Sequence, residues 1–286
     1  MLLSLRQRFV FFICISIVGF LISGVIGGLL IGKFPDSTAA MRIAAVVQSL
    51  FQLIIPAIVT ALIVTRRPAA FLAVDRKIDI PTLLLALGAL FAATPAMNLI
   101  IQLNQSLSLP ESLNWLEESM RRMEENAARS ISLLQGGPGT GNLIMNILII
   151  GILAGFGEEL FFRGTFMRLM TTGRINPHVA IWTVAIVFSA MHLQFYGFVP
   201  RTLLGAYFGY LLYWSRSLWI PICIHAANNI MYVCWQWAYG VNASDTTPID
   251  TIGTKGDYLP VALSLVITAA LLFMIVRRRV IVTAND

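Results

Sequence analysis

The chain has 286 residues, 57% of them hydrophobic and only 12% charged, with a formal net charge of +6. A charged share about half that of an ordinary globular protein, with the apolar residues gathered in long runs, excludes a water-soluble domain and points to a chain solvated by lipid. The basic residues lie between the apolar runs, a topology pattern rather than a nucleic-acid footprint, so no nucleic-acid partner is expected.

Eight apolar stretches reach or approach the roughly 20 residues a helix needs to cross a bilayer. In chain order they run near Phe9 to Ile31, Ile43 to Val64, Thr82 to Leu103, Asn142 to Met170, His178 to Leu193, Thr202 to Trp214, Leu218 to Ala238 and Tyr258 to Val276. The first exceeds a signal-peptide core and lacks a small-residue cleavage site, so it reads as a retained anchor. The fifth and sixth are short enough to be half-buried helices shielded by their neighbours. Cys14, Cys223 and Cys234 fall inside apolar runs at unrelated spacings and form no CxxC pattern. With the N-terminus inside, twelve basic residues fall on the inner side and seven on the outer, three of the seven in one long loop. Short loops carry the positive-inside rule, so both termini are expected on the cytoplasmic side. Trp214 and Trp219, flanking Arg216, fit an aromatic belt at that surface. The predicted fold class is therefore an all-α polytopic membrane helix bundle of about eight transmembrane helices, multi-pass, with a bacterial inner membrane suggested by the short loops. The chain divides into a three-span region (1–103), an extramembrane loop (104–141), a core (142–238), and a last loop, final span and basic tail (239–286).

The loop predicts an amphipathic helix. Ser108 and Glu111 have capping-box spacing, and Pro110 suits a first turn. Leu109, Leu113, Leu116, Met120 and Met123 share an apolar face, while Glu117–Arg121, Glu118–Arg122 and Glu125–Arg129 are i,i+4 pairs on the wet side. Gly136, Gly137, Pro138 and Gly139 end it. Such a helix either lies on the membrane surface or covers the bundle as a lid.

Few ionisable groups remain within the spans. Of fourteen acidic residues only Glu158 and Glu159 lie in an apolar run, joined there by Arg163, His192 and His225. Each such group costs about 3 kcal/mol even on a lenient insertion scale, so each needs a partner or a task. Glu159 and Arg163 stand four apart, the spacing of a salt bridge along one helix. Glu158 projects about 100° away and has no partner in its own span, which suits a general base. His225 and Asn229, again four apart, present two donors side by side, as an oxyanion requires. Gly151, Gly155 and Gly157 in the fourth span, and Gly205 and Gly209 in the sixth, permit close helix packing.

The run Glu158-Glu159-Leu160-Phe161-Phe162-Arg163 resembles the EExxxR motif of the CPBP family, the CAAX proteases and bacteriocin-processing (ABI) proteins. Phe188 to His192 is similar to the FxxxH motif of that family, and His225 to Asn229 to its HxxxN/B motif; the three occur in family order over about residues 142 to 232. The resemblance implies an intramembrane endopeptidase, a CAAX prenyl protease-like hydrolase. Within it Glu158 and His192 activate water, His225 and Asn229 form the oxyanion hole, Glu159 and Arg163 hold the helix in register, and Phe188 walls the cavity. It further implies a membrane-delivered peptide or protein substrate, lipidated in eukaryotic relatives. The family, once read as a metalloprotease family, is now read as glutamate-dependent, so no cofactor is expected. Zinc held by Glu158, His192 and His225 with an open fourth position is the minor reading, and no HExxH pattern occurs.

Two readings of other classes remain: a catalytically silent membrane scaffold or bacteriocin-immunity factor, and a proton-coupled transporter, which expects inverted repeats that the first half does not supply. Depth poses a constraint. At about 1.5 Å per residue, Glu158 and His225 lie some 13–15 Å from the inner end, whereas His192 lies about 21 Å from His178. A shared site requires tilt, or a fifth span that starts deeper.

Overall fold

The structure, a computed structural model, describes residues 3–240, 248–254 and 256–284, with side chains as far as residue 279. Among the described residues there are helices and no strands. Each of the eight apolar stretches falls on a helix or a broken helix. Four helices are long and apolar enough to cross a membrane, or five if a bent pair counts as one. Together with the lipid-like exposure of residues such as Val25 (62%), Leu29 (70%) and Leu259 (69%), this defines an integral multi-pass membrane protein.

Helix α1 (Leu5–Lys33) starts at a closed capping box between Ser4 and Gln7. Helix α2 (Thr38–Val64) widens into a π-helical segment at Ser49–Ile54, just before Pro56. Proline supplies no N–H and its ring crowds the carbonyl four residues back, which the wider winding accommodates. The expected third span is instead two helices, α3 (Ile80–Ala92) and α4 (Thr94–Gln105), bent by 46°. Pro95 sits in the first turn of α4, where its missing donor costs nothing, but the continuous helix is lost.

The loop helix is α5 (Asn114–Gln135), preceded by a 3₁₀ turn at Glu111–Leu113. The expected Ser108–Glu111 capping box does not form: α5 begins after Leu113, with no side-chain cap. Glu117 replaces it, accepting from the Leu109 N–H at 2.9 Å and from Arg121 at 2.7 Å. The Arg121 hydrogen bond first, then that of Leu109, holds the Glu117 carboxyl below its ordinary range. Glu118 pairs with Arg122 as expected, but Arg129 reaches Asp36 rather than Glu125.

Helix α6 (Thr140–Thr172) carries two π-helical segments, Ile147–Ala154 and Leu160–Met167, around one α-helical turn, Gly155–Glu159. Wide turns of this kind recur at functional sites, where they re-aim side chains. Next come α7 (Pro177–Ala190), α8 (Phe198–Ser215), α9 (Trp219–Tyr239) and α10 (Tyr258–Ala284). At the start of α7, His178 donates its N–H to Asn176 Oδ1 at 2.8 Å and its ring meets Tyr210 of α8 at 3.0 Å. At one end of the bundle, the 65–79 connection ties the other elements together. Leu218 and Trp219 donate to Ala73 and Val74, Arg168 to Phe71, and Arg278 pairs with Asp79.

Two apolar clusters fill the interior. One includes Phe161, Phe162 and Phe188, the other Phe208, Leu211 and Ile224. The α6–α9 contact between them is close: a Cβ on Gly155 would lie 3.2 Å from the backbone nitrogen of Ala226. Small residues are what let two helices in lipid approach to backbone distance.

Candidate active site

The ionisable groups expected in the spans meet where α6, α7, α8 and α9 come together. Glu159 and Arg163 are both fully buried and paired at 2.8 Å. The Arg163 guanidinium also donates to the Gly205 carbonyl at 2.7 Å and lies over Phe188 at 4.7 Å and Phe208 at 5.4 Å. Position 205 accepts only glycine without displacement, because a Cβ there would sit 3.1 Å from the Phe188 ring and 3.2 Å from Arg163. Taking this pair out of water is costly, so its aromatic and carbonyl surroundings are part of what keeps it charged.

The Glu159 oxygen bound to Arg163 has a second partner, the Nδ1 of His225, at 2.8 Å. The α6 ion pair therefore extends to α9 and fixes the imidazole, which also stacks on Phe208 at 4.6 Å between ring centres. A carboxylate held by arginine only accepts, so Nδ1 of His225 carries a proton. Its Nε2 then points at Glu158, 3.6 Å away. That distance is longer than a direct hydrogen bond and within ion-pair range. Unlike its neighbour, Glu158 keeps 20% of its side chain exposed.

His192 lies just beyond the C-terminal end of α7 rather than within it, in the turn Met191–Leu193. Its Nδ1 meets the Phe188 carbonyl at 2.8 Å. A carbonyl oxygen only accepts, so that nitrogen donates and Nε2 is left with its lone pair in the neutral ring. Phe188 touches both histidines edge-on, with ring centres 4.9 Å from His192 and 6.1 Å from His225. The charged neighbours of His192 are Glu158, Arg201 and His225. Phe188 thus links the end of α7 to α9, since its ring meets both histidines.

Asn229, one turn after His225, donates from Nδ2 to the Ile150 carbonyl at 3.1 Å and accepts from Asn228 at 3.3 Å. One amide N–H is committed and the other is left for a ligand. Two cavities meet beside these groups. One, of about 640 Å³, is lined by Glu158 and by Glu124, Ala128 and Ile131 of α5. The other, of about 850 Å³ and largely apolar, is lined by Asn228 and Asn229. Glu124 and Arg201 line both.

The inward face of α5 is thus a continuation of the expected stripe, and the helix roofs the Glu158 cavity. Its C-terminal end is clamped by Arg42, which donates to the carbonyls of Leu134 and Gln135 and to the Asn142 and Asn146 side chains at 3.0–3.3 Å. Among the described residues, no group of three or more His, Cys, Asp and Glu side chains is arranged to hold a metal ion. Sequence reasoning missed Glu124 and Arg201. Glu124 was detectable, standing four residues from both Met120 and Ala128 on the apolar face; Arg201, at the edge of a short span, read as an outer-loop charge.

Residues 140–231 match the family model described as Rce1-like, type II CAAX prenyl endopeptidase Rce1-like. The matched segment contains Glu158, Glu159, Arg163, Phe188, His192, His225 and Asn229, and the resemblance to CPBP proteases holds across it. The chain is also 24% identical over 95 residues to a Bacillus subtilis (strain 168) protein described as uncharacterized protein YpbD, covering 32% of this chain and 46% of that one. The chain thus spans about half the length of the curated relative it matches. No solved structure matches it.

Proposed function

We propose that this protein is an intramembrane endopeptidase that hydrolyses a peptide bond with a water activated by Glu158 and His192. The observation that carries the reading is the asymmetry of the two adjacent carboxylates. Glu159 is fully buried and engaged through one oxygen by both Arg163 and His225, while Glu158 is partly open to a cavity with its carboxylate 3.6 Å from His225 Nε2.

In this mechanism a water sits between Glu158 and the lone pair on His192 Nε2. Glu158 takes its proton as the hydroxide oxygen bonds to the scissile carbonyl carbon. The resulting oxyanion is met by the free N–H of Asn229 and by His225 Nε2. Because Nδ1 of His225 already donates to Glu159, Nε2 donates only in the doubly protonated ring, with Glu158 and Glu159 on either side to balance its charge. Collapse of the tetrahedral intermediate breaks the C–N bond, and Glu158 returns the proton to the leaving amine. No covalent enzyme intermediate is required, and no step is routed through a metal.

The substrate would be a peptide or protein segment delivered from the bilayer, with or without a lipid group, consistent with cavities that open beside the spans. The cellular setting we propose is a bacterial inner membrane with both termini cytoplasmic, from the distribution of basic residues. The reading predicts that Glu158→Gln in purified protein abolishes peptide cleavage, followed by mass spectrometry, while leaving expression and thermal stability unchanged. Wild-type cleavage by that variant would sink the mechanism, and activity in cells that survives it would point instead to a scaffold or immunity role.

A further inference from the structure

Among the described residues, Arg201 on α8 is the one cation that lines the two cavities, and it lines both, beside the groups assigned to catalysis. Its hydrogen bonds go to neutral oxygens of Gln194, the side-chain carbonyl at 2.8 Å and the backbone carbonyl at 3.4 Å. Among the described residues it makes no ion pair, although Glu124 and Glu158 are its charged neighbours. Arg163 answers the same problem differently, with a carboxylate and an aromatic box around it. A partly buried guanidinium left with neutral acceptors keeps its preference for a planar anion unfilled.

The internal carboxylate nearest to that role comes from the roof. Glu124 of α5 lines both cavities, and its Oε2 is buried without a hydrogen-bond partner. Burial pushes the Glu124 carboxyl up from its ordinary value, with the Arg201 charge and the Tyr196 N–H acting in the opposite direction.

We propose that Arg201 is a specificity-determining residue that binds a carboxylate of the substrate, either its free C-terminus or an acidic side chain close to the scissile bond. The inference rests on the protease reading for the word substrate, but its binding test does not need turnover. The flanking chain would occupy the apolar cavity, among residues such as Leu90, Met97, Leu204 and Met231.

The test uses the full-length protein with Glu158→Gln and three fluorescein-labelled octapeptides of leucine, valine and alanine. One ends in a free carboxylate, one in an amide, and one in an amide but with a single glutamate near that end. A charge-assisted bidentate contact predicts about 10- to 100-fold tighter binding of a carboxylate-bearing peptide than of the plain amide. Adding Arg201→Gln should bring the ratio to about one, and Arg201→Lys should restore part of it, which a merely structural role for Arg201 would not do. Preference for the free acid alone supports C-terminal recognition, and equal preference for the glutamate peptide supports a side-chain source. Equal binding of all three peptides, binding of none, or a preference that survives Arg201→Gln overturns the proposal. Cleavage by wild-type protein is read separately. Acid-selective binding without cleavage refutes the protease reading and leaves the carboxylate site, whereas cleavage without selectivity does the reverse.

Discussion

Glu159→Gln is the substitution that most sharply separates support from chemistry. It removes a charge from a site where both partners are fully buried, yet changes almost no volume. Breaking a buried ion pair by neutralising one member costs about 3–5 kcal/mol, because the other charge stays behind unmatched. Two features place this case near the lower end, at about 3 kcal/mol: the glutamine oxygen still accepts one hydrogen bond, and Arg163 keeps the Gly205 carbonyl and its aromatic neighbours. The second bond, to His225 Nδ1, weakens at the same time. Glu158→Gln, by contrast, alters a carboxylate that is 20% exposed and whose nearest ion partner is 3.6 Å away. Its stability cost should be about 1 kcal/mol or less. Thermal unfolding in detergent with a thiol-reactive fluorophore reads the difference directly, since Cys223 and Cys234 are half-buried, while Cys14 is exposed and sets the baseline. The expected order of melting temperature is wild type and Glu158→Gln together, with Glu159→Gln clearly below. Activity should be lost in both variants. Equal stability of Glu159→Gln and wild type, or a larger loss for Glu158→Gln, would refute the division of roles.

Asn229→Ala should lower kcat by about 10²–10³ with a smaller change in KM, as expected for loss of one oxyanion donor; a kcat within twofold of wild type would remove Asn229 from the hole. Arg42→Ala deletes two hydrogen bonds to the C-terminal end of α5 and two to Asn142 and Asn146 at the start of α6, and amide exchange over residues 127–136 should accelerate about 10- to 100-fold, matching about 1.5–3 kcal/mol for bonds to a charged donor. Unchanged exchange there would show that the roof is held by its other contacts.

Hydrophobic run length located the helices well, because in lipid a run of apolar residues has few alternatives to helix. Where it erred, a local residue was responsible. Pro95 breaks the third stretch, and the Ser108–Glu111 cap gives way to Glu117, whose carboxylate reaches the Leu109 N–H from within the helix. By length and composition four or five helices suffice to cross a membrane, while α7, α8 and α9 are shorter or more polar. The site residues were legible for a different reason: charge in an apolar run is expensive, so few positions needed to be weighed. Spacing within one helix gave the Glu159–Arg163 pair. It did not give the bond from Glu159 to His225, which joins residues 66 positions apart, nor the presence of Glu124 and Arg201 in the lining of the same cavities. Such contacts depend on how helices cross, which a single sequence does not encode in its periodicity.

The two glutamates show how adjacency along a chain becomes division of labour in space. On an α-helical turn, neighbours diverge by about 100°, so one side chain can face the α8–α9 interface while the next faces a cavity. The inward one, Glu159, is locked by a cation on its own helix and a histidine on another. Its lock fixes the protonated nitrogen of His225 and thereby aims the opposite nitrogen at the outward one, Glu158. A charge that would be a liability in hydrocarbon thus becomes the reference point from which the groups proposed to react are set. The π-helical segments on either side of that single turn keep the arrangement from being a simple repeat of the helix. If the lock is the device that orients His225, then Glu159→Asp, which retains the charge but shortens the side chain by one methylene, should preserve more stability than Glu159→Gln while still losing most of the activity.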